Sequence, residues 1–141
     1  MKRLGAALAL IAFLFTLPAE AATSLVATIS LSQQRMNVSV DGMSRYYWPV
    51  STARRGYRTP VGSFRAQRLE RVWYSRKYDM APMPHSVFFR GGYAVHGTNH
   101  VKSLGRPASH GCVRLAPGNA ATLYGLVRRY GMANTRIIVT R

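Results

Sequence analysis

Acidic residues are nearly absent from this 141-residue chain: four Asp and Glu stand against 20 Lys and Arg, a formal charge of +16 at pH 7. Cysteine is scarcer still, with one, and there are four histidines. Each shortage removes a class of explanation. A single cysteine cannot build an internal disulfide framework, and four histidines with scattered acids make a poor metal inventory, so neither a metal nor a cofactor is expected. Long hydrophobic spans are lacking too. The uncharged run from Leu4 to Leu17 covers 14 residues, short of the roughly 18 to 20 that a membrane-crossing helix requires. The length predicts one domain with one modest core, and a hydrophobic content of 48% excludes a disordered basic tail.

That apolar run has a different meaning. Lys2 and Arg3 precede it, and Pro18-Ala19-Glu20-Ala21 follows with an A-x-A pattern. Together these features predict a secretory signal peptide over residues 1–21 and a domain over residues 22–141. Cleavage removes two cations and one anion, leaving a mature charge of +15. The protein is expected to be exported, to the periplasm or cell-wall space, and to act as a monomer. Export sharpens the question of Cys112. In an oxidising compartment an unpaired cysteine is an intermolecular bridge, an inert buried thiol or a group kept for chemistry.

The mature chain reads as mainly β. Leu25, Ala27, Ile29 and Leu31 alternate with polar residues, and Met36, Val38 and Val40 continue that period up to Asp41-Gly42, a pair that favours a tight hairpin. Strands are predicted at Met43 to Val50, Gly62 to Leu69, Ser86 to Phe89, Tyr93 to His96 and Thr135 to Thr140, with a loop over Ser51 to Pro60. Pro117 starts a helix on which Ala120, Leu123, Val127 and Tyr130 share a face, and Gly131 sits where a left-handed terminating residue belongs. Short strands with one late helix fit a sandwich or a partly closed barrel.

Chemistry-bearing residues concentrate between His96 and Leu115. A thiol attacks an acyl carbon as its thiolate, which needs a neighbouring base or dipole. His110 lies two residues before Cys112. His96 lies 16 residues upstream and reaches the cysteine only if the intervening loop folds back. Gly111 permits a positive φ or a close approach, aiming the Gly111 and Cys112 amides at a developing oxyanion. Taken singly, each histidine reads more readily as a satisfied structural residue.

The combination is more specific than its parts. His96-Gly97-Thr98, a gap, and Ser109-His110-Gly111-Cys112-Val113-Arg114-Leu115 resemble the active-site signature of the L,D-transpeptidase catalytic domain, the YkuD family. Thr59-Pro60-Val61-Gly62, the Asp41-Gly42 hairpin, Met83-Pro84 and Pro117 to Ala121 resemble the same domain in the same order. The resemblance covers about residues 24 to 141. It implies a β-sandwich of short mixed strands with one or two short helices, one near the C-terminus.

It also implies roles. Cys112 is the nucleophile and His96 the general base, its tautomer held by the Gly97 carbonyl. His110, Ser109 and Gly111 shape the site, and Arg114 binds a substrate carboxylate. The implied substrates are peptidoglycan stem peptides. Cys112 attacks the carbonyl of the third residue, D-alanine leaves, and an amine resolves the thioester to give a 3→3 cross-link or, with a lipoprotein lysine, an attached protein. Water as acceptor gives carboxypeptidase or endopeptidase trimming instead. A third alternative is a wall-binding module without catalysis, against which the intact His96 and Ser109 to Cys112 argue. Carbapenems are implied to acylate Cys112. A papain-like peptidase is disfavoured because there the cysteine precedes its histidine.

Arg54, Arg55, Arg58, Arg65, Arg68, Arg71, Arg76 and Lys77 admit two readings, an anchor on the anionic cell envelope or a solvated basic face. Nucleic acid is not an expected partner, since export removes it and no nucleic-acid motif is present.

Overall fold

The computed structural model describes residues 24–141, so the expected signal peptide lies outside the described residues. Leu25, Ala27 and Ile29 are buried on β1 (Leu25–Ser30), and Met36, Val38 and Val40 on β2 (Arg35–Val40). The period of two therefore gives each strand one core face. Asp41 and Gly42, with φ of 50° and 80°, form the two-residue turn into β3 (Met43–Pro49), where Val40 pairs with Met43. Both positive φ values suit the right-handed twist of the hairpin.

The next expected strand is divided. Gly62 to Leu69 forms β4 (Gly62–Arg65) and β5 (Arg68–Glu70), which lie in different sheets. The switch falls between two adjacent amides. Ala66 N–H donates to Thr135 in one sheet, and Gln67 N–H donates to Phe88 in the other. A run of alternating residues does not reveal which sheet each half joins. A further hairpin, β6 (Tyr74–Ser75) and β7 (Ala81–Pro82), has strands of two residues, too short to leave a periodic signal.

After β8 (Ser86–Arg90), β9 (Tyr93–Gly97) and β10 (Val113–Leu115), α1 spans Pro117–Tyr130 and β11 spans Thr135–Thr140. One sheet has the order β3-β2-β1-β11-β4 and the other β10-β9-β8-β5. Both contribute to the main core with Ala120, Leu123 and Val127 of α1, while Tyr130 packs at its margin, and a smaller cluster of Met83, Phe88 and Ala94 lies against Cys112. Mixed sheets with one main helix agree with the expected fold class. Gly131 departs from the left-handed conformation expected of it: φ is 94° and ψ is 144°. Its carbonyl is turned instead to accept the Thr135 hydroxyl at 2.8 Å.

Candidate active site

The fold brings Cys112 and His96 together through a parallel strand pair. In β9 and β10, Val113 stands opposite Val95 and Arg114 opposite His96. Val95, Val113 and Leu115 point into the core. Strand alternation therefore turns His96 and Arg114 to the opposite face, and Cys112, just before β10, lines the same cleft. The loop from 97 to 112 does fold back as the pairing requires. It includes a 3-10 turn at Val101–Ser103.

The segment before Cys112 is clamped from its other side by the Ser51 to Pro60 loop. Ser51 and Arg114 exchange backbone hydrogen bonds at 3.0 and 2.8 Å, Ser109 N–H donates to Thr52, and Arg54 N–H donates to Ser109. Buried Thr59 links the two segments through its side chain: it accepts from the Ala53 N–H at 3.1 Å and donates to the Gly111 carbonyl at 2.8 Å. The Thr-Pro-x-Gly string thus acts on the turn that carries the cysteine. Its sequence marks the string but not this contact across 52 residues.

Within that turn the Ser109 hydroxyl donates to the Cys112 carbonyl at 2.6 Å, and the Gly111 N–H donates to Ser109 Oγ at 3.1 Å. One expectation is corrected here. The Gly111 amide is engaged in the turn, because Ser109 draws it inward, and is not presented as an oxyanion donor. Gly111 has φ of 140°, and a Cβ there would lie 2.8 Å from Tyr93 and 3.0 Å from the Arg58 carbonyl. Gly97 is enclosed in another way, since a Cβ there would lie 3.2 Å from the Pro84 side chain and 3.3 Å from that of Ala120.

His96 is buried, and its Nδ1 lies 2.7 Å from the Gly97 carbonyl. A carbonyl accepts only, so Nδ1 carries the proton and Nε2 is left with its lone pair. Burial, aided by the Arg114 cation and opposed by the Gly97 hydrogen bond, lowers the His96 pKa to about 4. Burial pushes the Cys112 thiol upward, against the lowering effects of an Ala94 backbone hydrogen bond and Arg114. The Cys112 Sγ–H lies 3.7 Å from the Gly92 carbonyl. The resting pair is consequently a neutral thiol and a neutral imidazole, with Arg114 placed to favour the thiolate as it forms.

His110 points elsewhere. Its ring stacks on Tyr78 at 4.1 Å and meets Tyr57 edge-on at 4.8 Å. Partial burial and the cations Arg54, Arg114 and Lys77 lower its pKa. The cleft of about 910 Å³ is lined by all of Cys112, His96, His110, Ser109, Gly111 and Arg114, together with Asn99 and His100. Its far wall comes from Trp73 and Tyr78, which carry no signal in the sequence, and from Met83 and Phe88. Arg68, one of the eight basic residues considered for envelope binding, lies over the Phe88 and Trp73 rings at 3.9 and 4.5 Å and pairs with Glu70 at 2.9 Å. The eight come from different elements, with Arg65 on β4 and Arg54, Arg55 and Arg58 in the loop beside the turn that carries Cys112.

Comparison with known proteins gives a consistent result. No curated sequence is similar enough to this chain to count as a relative. Among solved structures, an L,D-transpeptidase from Mycobacterium smegmatis is 27% identical with a TM-score of 0.76, over 84% of this chain and 59% of its own. An L,D-transpeptidase from Mycobacterium tuberculosis H37Rv is 26% identical with a TM-score of 0.75, over 84% and 58%. The L,D-transpeptidase LdtMt1, solved in complex with imipenem, is 28% identical with a TM-score of 0.74, over 84% and 59%. The chain spans about three fifths of the length of these structures. The model of the L,D-transpeptidase catalytic domain, YkuD, matches residues 24–139. With nearly all of the described residues inside that match, the chain belongs to the YkuD family of L,D-transpeptidase catalytic domains.

Proposed function

We propose that the protein is an exported cysteine L,D-transpeptidase acting on peptidoglycan stem peptides in the periplasm or cell-wall space. The observation that carries this reading is the tautomer of His96: Nδ1 is fixed on the Gly97 carbonyl, so Nε2 is a ready base in the cleft that Cys112 lines. A Cys-His-carbonyl arrangement suits a chain with no acid between Met80 and Arg141.

The chemistry follows from two neutral partners. As Sγ attacks the carbonyl of the third stem residue, its proton passes to His96 Nε2. The Cys112 amide is left to meet the oxyanion, since the Gly111 amide is held by Ser109. The Arg114 guanidinium offers a carboxylate a two-pronged partner. Collapse of the intermediate expels D-alanine, whose nitrogen takes the proton back from His96, and leaves a thioester on Cys112. An amine then attacks the thioester carbonyl. His96 takes the amine proton and returns it to the thiol. A stem-peptide side chain as acceptor gives a 3→3 cross-link, and a lipoprotein lysine gives an attached protein.

The test incubates the protein with disaccharide tetrapeptide and weighs the products. Cross-linked dimers that have lost D-alanine are expected, absent with Cys112→Ala. Shortened monomers alone would make the protein a hydrolase, and identical products from both proteins would remove Cys112 from the reaction. Since a similar protein is solved with imipenem, a carbapenem is expected to add its mass to Cys112. The mass should be unchanged in Cys112→Ala.

A further inference from the structure

The β6–β7 hairpin forms a flap along the far wall of the cleft and is held at two places. At its base Trp73 meets Phe88 edge-on at 5.7 Å, Met83 is buried, and the Met83 N–H donates to the Trp73 carbonyl at 2.8 Å. At its tip Arg76, Lys77, Asp79 and Met80 are exposed, and Tyr78 alone among them is half-buried. The Tyr78 ring lies flat on the His110 imidazole, with 4.1 Å between centroids and 11° between planes.

That contact belongs to a longer chain of rings. Tyr57, from the Ser51 to Pro60 loop, meets the same imidazole edge-on at 69°. A cation closes each end, Arg54 over Tyr57 at 4.9 Å and Lys77 over Tyr78 at 5.5 Å. The tip turns sharply to present Tyr78: Asp79 and Met80 hold φ of 52° and 55°, a left-handed conformation that Asp tolerates and Met seldom adopts. A strained turn persists where a contact offsets its cost. Here the contact is an aromatic stack on the residue two positions before the nucleophile.

We propose that Tyr78 is a positioning residue that latches the flap to His110 and thereby sets how the Cys112 thioester is resolved. The inference rests on the thioester chemistry proposed above. Attack by an amine forms an amide and returns the Cys112 thiol, with His96 moving the proton. Attack by water forms a free carboxylic acid and returns the same thiol. A latched flap narrows the approach of bulk water, while the amine arrives on a second peptide bound along the cleft. Opening the latch therefore favours water at the expense of the amine.

The experiment uses the full chain with disaccharide tetrapeptide and measures the ratio of hydrolysed tripeptide to dimer. Tyr78→Ala is expected to raise that ratio about fivefold, in keeping with the strength of an aromatic pair. Tyr78→Phe, which keeps the ring and loses the hydroxyl, is expected to retain the wild-type ratio. Imipenem labelling of Cys112 confirms that each variant is folded and reactive. The His110 ring-proton resonance, shifted by the stacked ring, is expected to move in Tyr78→Ala and stay in Tyr78→Phe. An unchanged ratio in labelled Tyr78→Ala, or equal effects of both substitutions, overturns the latch. Wild type that forms no adduct at Cys112 overturns the thioester reading itself and the latch with it.

Discussion

His96 combines burial with a fixed tautomer, and its protonation has consequences that can be measured apart from turnover. Its pKa is about 4 in the native protein, against about 6.5 in an unfolded chain. Between those values the unfolded chain binds a proton that the native protein does not, so stability falls as pH falls from about 6.5 to 4. The full effect is roughly 3 kcal/mol. Urea unfolding at pH 7.5 and 4.5 is expected to show this loss in wild type and a smaller one in His96→Gln. The same neutrality bears on rate. Acylation of Cys112 should hold nearly constant down to about pH 5, since the base stays unprotonated until its own pKa is approached. A pH profile of imipenem labelling that halves near 6.5 would contradict the neutral pair. Gly111→Ala combines a disfavoured φ with contacts of 2.8 and 3.0 Å, and is expected to cost about 3 kcal/mol or more in a denaturant titration.

Among the elements, the strand pair β9 and β10 builds the site, and the Ser51 to Pro60 loop holds it. Thr59→Val removes a donor and an acceptor from buried surroundings, leaving the Ala53 amide and Gly111 carbonyl without that partner. The expected loss is about 1 to 3 kcal/mol with slower acylation, whereas Thr59→Ser retains both bonds and both properties. The elements also show what the sequence makes visible. The Asp41-Gly42 hairpin and β11 are legible because local chemistry decides them, a turn requiring positive φ and a run of β-branched residues. The division of Gly62 to Leu69 is invisible because it depends on two amides finding different sheets. Cys112 and His96 stand out through the resemblance of their motifs to a known family, since spacing alone leaves each histidine readable as a structural residue. Tyr78 and Trp73 do not stand out, because a flap wall is defined by packing across the cleft and carries no periodic pattern. The Gly111 amide illustrates a subtler gap, since glycine at that position indicates an unusual backbone but not which acceptor receives its N–H.

For the whole molecule, charge is the dominant sequence feature, and the structure distributes it. Arg68 is committed to aromatic rings and to Glu70, the one ion pair among the described residues. Arg54, Arg55 and Arg58 are exposed in the loop that clamps the catalytic turn. Binding of the Cys112→Ala protein to insoluble cell-wall sacculi is expected to weaken steeply between low and physiological salt, as screening shortens the reach of exposed charges. Replacing Arg54, Arg55 and Arg58 by Gln should weaken it further. Sedimentation with sacculi at several salt concentrations checks this, and salt-independent binding would assign retention to uncharged contacts.

The placement of β11 has a consequence for how the protein is made. Residues 135–140 lie inside the five-stranded sheet, parallel to β1 and antiparallel to β4. The meander β1-β2-β3 therefore waits with an open edge until a segment about 110 residues later in the chain arrives. Closing so large a loop makes folding slow and late. The five-stranded sheet is therefore complete only once β11 has been made, because no other strand covers the free edge of β1.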